Sequence, residues 1–222
     1  MKKKMISFAL AAAVLLPLHA EAQATVTANA GWLSQYYYRG VLQRTSSASA
    51  GLNVASGNFS AGTWAADVGD GSEVDLFGSV AIPLGSGTVS LGGTGYFYTG
   101  DFDDTYLEGN LGASFGILSL AAALGTYDVS GDDKYFFLSA TAAKNGFFGT
   151  VGTIAYNTGL GDALSDAFDK DLGGQYLQAG YGFTAGEMDF SVSGLMNDAA
   201  LSDEIDGEIT LIFGVSKVFT IQ

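Results

Sequence analysis

The sequence predicts an all-β protein: an antiparallel up-and-down transmembrane β-barrel of about twelve strands, with both termini on the periplasmic side. Three observations carry that expectation. Apolar and polar residues alternate with a period of two along successive segments, short and long connections take turns, and nearly all the carboxylates gather at the long connections. Short turns at one rim and longer loops at the other are the pattern of outer-membrane barrels, which carry an even number of strands.

The chain opens with Lys2, Lys3 and Lys4, runs through an apolar stretch over 5–16, breaks at Pro17 and reaches Ala20-Glu21-Ala22. A basic start, a short apolar core and a small-residue site read as a cleaved export signal. The apolar core is too short to span a bilayer as a helix, and no later segment approaches the roughly 20 apolar residues a spanning helix needs. The expected organisation is a signal peptide over 1–22 and a single barrel domain over 23–222.

That cleavage removes His19, the one histidine, and the chain has no cysteine. Without imidazole or thiol there is no Ser-His-Asp triad, no cysteine nucleophile and no ordinary zinc site, so an enzyme is not expected, nor a metal centre or cofactor. The net charge of −14 becomes −16 once three lysines and one glutamate are cut away, which argues against nucleic acid as a partner. Yet 48% of the residues are hydrophobic and the mean hydropathy is positive. The charges must therefore be concentrated in a few places.

The first strand pattern places Val26, Ala28, Ala30, Trp32, Tyr36 and Tyr38 on one face and Thr27, Asn29, Gln35 and Arg39 on the other. Val74, Leu76, Val80 and Ile82 alternate with Glu73, Asp75 and Ser79, and Leu107, Leu111 and Phe115 with Tyr106, Glu108 and Asn110. Ile209, Leu211, Phe213 and Val215 alternate with Glu208, Thr210 and Ser216. Each is a strand with one apolar face. Short turns are expected at 56–58, 83–87, around Gly116, at 145–146 and at 185–187. Long connections are expected at 40–47, 69–72, 99–104, 128–133, 157–172 and 197–206.

Of the carboxylates, only Glu187 and Asp189 lie near a short turn. A soluble sandwich has no reason for that division, whereas a barrel rim facing solvent and lipopolysaccharide does. Glycine is abundant, at 32 residues against 2 prolines, and many fall inside strands, where they permit strong curvature. Aromatics such as Tyr36 to Tyr38, Tyr96 to Tyr98, Tyr135 to Phe137, Phe147 and Phe148 fall near strand ends, which suits interfacial girdles.

The run Ser34-Gln-Tyr36-Tyr-Tyr38-Arg39-Gly40 resembles the opening strand of the TorF family of outer-membrane porins. The likeness continues through Gly57-x-Phe59-x-Ala61-Gly62-x-Trp64-Ala65, Glu73-Val-Asp75-Leu-Phe77-Gly78 and Gly95-Tyr96-x-Tyr98, and returns at Gly214-Val-Ser-Lys217-Val-Phe219. It is strongest over the first third of the chain. The resemblance implies an exported outer-membrane barrel and brings no catalytic residues. With it, the leading expectation is a porin-like channel for passive diffusion of small solutes or ions; the alternative is a closed structural or adhesive barrel.

The candidate pore residues are Arg39, Gln35, Glu73, Asp75, Glu108 and Asn110, all on the polar parity. An arginine facing acids across a narrow lumen can hold the interior together, set selectivity, or do both. Few basic residues remain after cleavage, so an acidic mouth should enrich cations and give a weak cation preference. Asp101, Asp103, Asp104, Asp169 and Asp171 form acidic outer-loop candidates with hard oxygen ligands but no complete calcium loop; loose cation bridging to lipopolysaccharide phosphates suits them better. Phe219, followed by Thr220-Ile221-Gln222, is the candidate signal for the barrel-insertion machinery. Expected partners are therefore outer-membrane lipid and lipopolysaccharide, that machinery, and small solutes or ions.

Overall fold

The computed structural model describes residues 24–127, 134–156, 173–201 and 208–221. In chain order the strands are β1 Thr25–Tyr38, β2 Val41–Ser56, β3 Phe59–Asp67, β4 Ser72–Leu84, β5 Gly87–Tyr98 and β6 Tyr106–Phe115. They continue with β7 Leu118–Tyr127, β8 Lys134–Lys144, β9 Phe147–Tyr156, β10 Gly173–Ala185, β11 Met188–Asn197 and β12 Thr210–Thr220. Each pairs antiparallel with its sequence neighbour, and β1 pairs with β12 from Thr27↔Thr220 to Leu33↔Gly214, closing the barrel. The expected signal segment 1–22 and the long connections at 128–133 and 157–172 lie outside the described residues, as do residues 202–207 of the last one.

Closure leaves no sheet edge, and the period-two pattern decides which face meets which solvent. Leu52, Leu91, Leu111, Leu120, Leu177 and Phe213 all point outward, and Leu76 is 53% exposed there. Their alternate neighbours, such as Ser79, Ser90, Asn110, Gln178 and Ser193, point into the lumen. An exterior of large exposed apolar side chains around a polar interior is a surface for lipid, because in water it would drive association.

The two rims differ. Five tight turns, with left-handed residues at Gly57, Gly85, Gly116, Asn145-Gly146 and Gly186-Glu187, share one end with the start of β1 and the end of β12. We call this the turn end and the opposite rim the loop end. The expected long loop at 40–47 does not exist. Arg39 and Gly40, at φ 51° and 86°, make a two-residue hairpin, and residues from Val41 onward belong to β2. The run Gln43 to Ser47 reads as loop because it is polar, but a strand at the rim of a barrel with a polar interior has no need of apolar residues.

The aromatic girdle is also only half as expected. At the turn end Phe147 is 66% exposed, and it joins Phe59, Phe115 and Phe183 on the lipid face, with Tyr181 stacked between Phe147 and Phe183. At the loop end Tyr36, Tyr96, Tyr135 and Phe137 are buried inside the barrel rather than at the lipid interface. Phe148 faces the lumen too.

Candidate functional site

The loop-end half of the lumen is filled by one network centred on Glu108. Arg39 Nη2 donates to Glu108 Oε1 at 2.9 Å and forms an ion pair with Oε2 at 2.8 Å. The Tyr96 hydroxyl donates to Oε1 at 2.8 Å, the Asn110 amide to Oε1 at 2.6 Å and the Tyr135 hydroxyl to Oε2 at 2.6 Å. A buried carboxylate is tolerated only with such partners.

The sheet register makes this convergence possible. Glu108, Gly125 and Tyr135 lie in one cross-strand row over β6, β7 and β8. A Cβ at Gly125 would stand 2.7 Å from the Tyr135 hydroxyl, so only glycine lets the ring lie across β7 to reach Glu108. Arg39 arrives from the hairpin above and lies over the rings of Phe137 at 4.2 Å and Tyr38 at 4.7 Å. From the loops, Leu201 packs against Tyr135, Phe137 and Ile154, and Phe102 against Tyr36, Ala66 and Val68.

Beside this network lies a second pair of acids. Glu73 and Asp75 occupy successive lumen-facing positions of β4, and Glu73 is 1% exposed. Tyr36 donates to Glu73 Oε1 at 2.7 Å. Glu73 Oε2 and Asp75 Oδ1 are buried without a hydrogen-bond partner, and neither acid has an ion-pair partner among the described residues. Buried donors are also unpaired nearby, at Tyr38 Oη and at Arg39 Nε and Nη1.

The turn-end half is different in kind. Its lumen is lined by small hydroxyl and amide side chains that bond one another: Ser60 with Ser79, Thr141 with Thr150, Thr94 with Asn110 and Gln178 with Ser193. Gln35 lines a cavity of about 50 Å³ with Tyr37, Phe148, Gln178, Ser193 and Ile212, room for a water or two. Thr27, Asn29 and Ser216 complete the same polar face.

The pore candidates thus fall into two groups. Arg39, Glu108 and Asn110 meet directly, Glu73 and Asp75 stand beside them, and Gln35 belongs to the cavity. Tyr106, expected on the lumen face, donates to Asp103 Oδ2 at 2.7 Å at the rim, while Thr210 accepts a long 3.5 Å bond from Tyr37. Asp101 and Asp104 are exposed on the same connection, and Asp169 and Asp171 lie outside the described residues. Phe219 is exposed on the lipid face near the end of β12, with the Lys217 ammonium 5.4 Å from its ring centre. The buried rings of Tyr36, Tyr96, Tyr135 and Phe137 were missed as lumen residues. Parity could have found three of them, since Tyr96 shares a face with Thr94, and Tyr135 and Phe137 with Ser139 and Thr141. Tyr36 could not be found that way, because it has the same parity as Trp32, which is exposed on the lipid face.

A closed barrel of twelve antiparallel strands, apolar outside and polar within, defines the class of transmembrane β-barrels. Its fold is similar to that of a protein solved in work on in-meso crystallisation of membrane proteins, with TM-score 0.58 and 11% identity over 89% of this chain and 84% of that one. It is similar also to the KdgM porin, with TM-score 0.54 and 7% identity over 88% of this chain and 99% of that one. Pseudomonas aeruginosa OprD aligns with TM-score 0.40 and 13% identity over 89% of this chain and 67% of that one. No protein-family model and no curated relative matches the sequence.

Proposed function

We propose that the protein is a narrow porin-like channel of the bacterial outer membrane, delivered there after cleavage of residues 1–22 and related to the TorF porins. Small solutes or ions diffuse passively through a lumen whose constriction is the Arg39–Glu108 network. The observation that carries this reading is the turn-end lumen: a wall mostly of hydroxyl and amide groups, with Asp189 as its buried carboxylate, inside an apolar exterior. Such groups replace hydration without holding a solute tightly, which is what conduction needs. A purely structural barrel would fill that space with packed side chains, as small barrels do.

The reading includes a weak cation preference. Among the described residues Glu73 and Asp75 have no balancing cation in the lumen, and Asp101, Asp103 and Asp104 add negative charge at the mouth. Those rim acids also suit cation-bridged contact with lipopolysaccharide phosphates, and Phe219 suits capture by the insertion machinery. This placement puts the loop end outward and both termini in the periplasm. The chemistry is transport and not catalysis.

One observation favours the second reading, a closed structural or adhesive barrel: the loop-end rings and Arg39 are buried as tightly as a protein core. Single-channel recording of refolded protein in potassium chloride, with reversal potential under a salt gradient, separates the two. Small stable steps with cation preference support the channel. Anion preference removes the selectivity, and an intact barrel without steps moves the assignment to the closed reading.

A further inference from the structure

We infer that the Glu73–Asp75 pair is a subsite for an organic ammonium group, built into the loop-end wall of the lumen. It deepens the channel reading, since it names a class of solute, yet it requires only that the lumen be reachable and not that it conduct.

The inference starts from an imbalance. Among the described residues Arg39 is the cation of the loop-end interior; its Nη2 is committed to Glu108, and its Nε and Nη1 hydrogen-bond neither Glu73 nor Asp75. Glu73 and Asp75 are left with two buried unpartnered oxygens, one on each side chain, and Glu73 itself is almost wholly buried. An acceptor of that kind is stable only when something donates to it. Tyr36 supplies one donor and is used up on Glu73 Oε1, and the Tyr98 hydroxyl approaches the same carboxylate, so the least satisfied acceptor of the pair is Asp75 Oδ1.

What surrounds the pair selects the ligand. Trp64 is the cross-strand neighbour of Asp75 on β3, and Tyr96 is its neighbour on β5. Tyr98 is the β5 neighbour of Glu73, and the Tyr36 ring stands edge-on to Trp64 at 5.6 Å. Two carboxylates between aromatic rings suit a cation that brings its own hydrogen-bond donors and accepts a ring face, as an ammonium does. A hard divalent ion would ask for six or more oxygens, and no group of three or more acids able to hold a metal occurs among the described residues. Asp75, Trp64 and Tyr98 are partly exposed, so the subsite is approached from the lumen.

The chain provides its own probe. It has two tryptophans, Trp32 on the lipid face and Trp64 in the subsite. In a Trp32→Phe background, Trp64 emission reports on the subsite alone. The refolded barrel is titrated with butylammonium, with butanol as the uncharged analogue of equal length, and with potassium chloride at matched ionic strength. The expected result is a saturable change with butylammonium only. Glu73→Gln and Asp75→Asn should each weaken it about tenfold, the loss of one charge-assisted acceptor, while Asp189→Asn at the turn end leaves it unaltered. An equal response to butanol, an equal response to potassium ions, or unaltered binding in folded Glu73→Gln and Asp75→Asn proteins overturns the inference. A silent channel that still binds butylammonium at Trp64 would sink the conduction reading and leave the subsite standing.

Discussion

The two halves of the lumen solve opposite problems with the same strands. At the loop end, large rings and one buried ion pair fill the cross-section, every contact depends on its neighbours, and several polar atoms are left unpaired. At the turn end, small hydroxyl and amide groups cover much of the wall in separate pairs and border a cavity of about 50 Å³. Side-chain size along one face is therefore a design variable independent of the fold: longer inward residues close the cross-section without changing strand count, pairing or the lipid-facing surface.

The largest expected effect lies at the centre of the plug. Glu108→Ala strands the Arg39 guanidinium in a buried site, and removing one member of such a pair costs roughly 3–5 kcal/mol. Ser193→Ala in the turn-end half should cost a small fraction of that, because its bond to Gln178 can be replaced by water. Urea unfolding of refolded barrels in vesicles measures both; equal losses would erase the distinction between the halves.

Next in size is Gly125→Ala. Its added methyl meets the Tyr135 hydroxyl, and overpacking of this kind costs about 1–3 kcal/mol. Gly149→Ala is the matched control, with nothing within 4 Å of the new Cβ, and should leave stability nearly unchanged. A free Tyr135 would also show as raised single-channel conductance in Gly125→Ala alone.

The two hairpins offer a smaller and sharper test. Arg39-Gly40 and Asn145-Gly146 share one backbone geometry, with φ of 51° and 86° in the first and 54° and 88° in the second. Asparagine is at home in that first position; arginine is not. Asn145→Arg should therefore cost about 1 kcal/mol, the penalty for a left-handed residue with an ordinary Cβ, with no change in conductance. Arg39→Asn should ease the turn while releasing the plug, so conductance rises. If Arg39→Asn leaves conductance unaltered, Arg39 is not part of the constriction.

Smallest of all is Lys217→Ala. Its partner Glu187 is 85% exposed, and such a pair is worth no more than about 0.5 kcal/mol in water.

Much of the barrel is legible in the sequence because alternation and turn chemistry are local. Asn145-Gly146 marks a hairpin by itself, and Leu107, Leu111 and Phe115 fix the lipid face of β6. The inward parity of Glu73, Asp75 and Glu108 is legible for the same reason. The partnership of Arg39 with Glu108 rather than with Glu73 or Asp75 is not, since it depends on which strands curve toward one another across the lumen. The tyrosines mislead because a ring next to an interface and a ring inside a plug occupy the same places along the chain. The hairpin at Arg39 misleads because its arginine occupies a turn position while its side chain serves the lumen.

The seam between β1 and β12 has a kinetic consequence. Eleven of the twelve strand pairings join neighbours in sequence and can zip up one hairpin at a time, whereas this one joins opposite ends of the barrel. Until it forms, both flanking strands expose unsatisfied backbone groups to lipid, where each is costly. Its formation is the step that requires the whole array to have curved round, so it is expected to come last and to limit the rate. An arrested chain would then be a curled open sheet with two adhesive edges, able to capture a strand from another molecule before it finds its own.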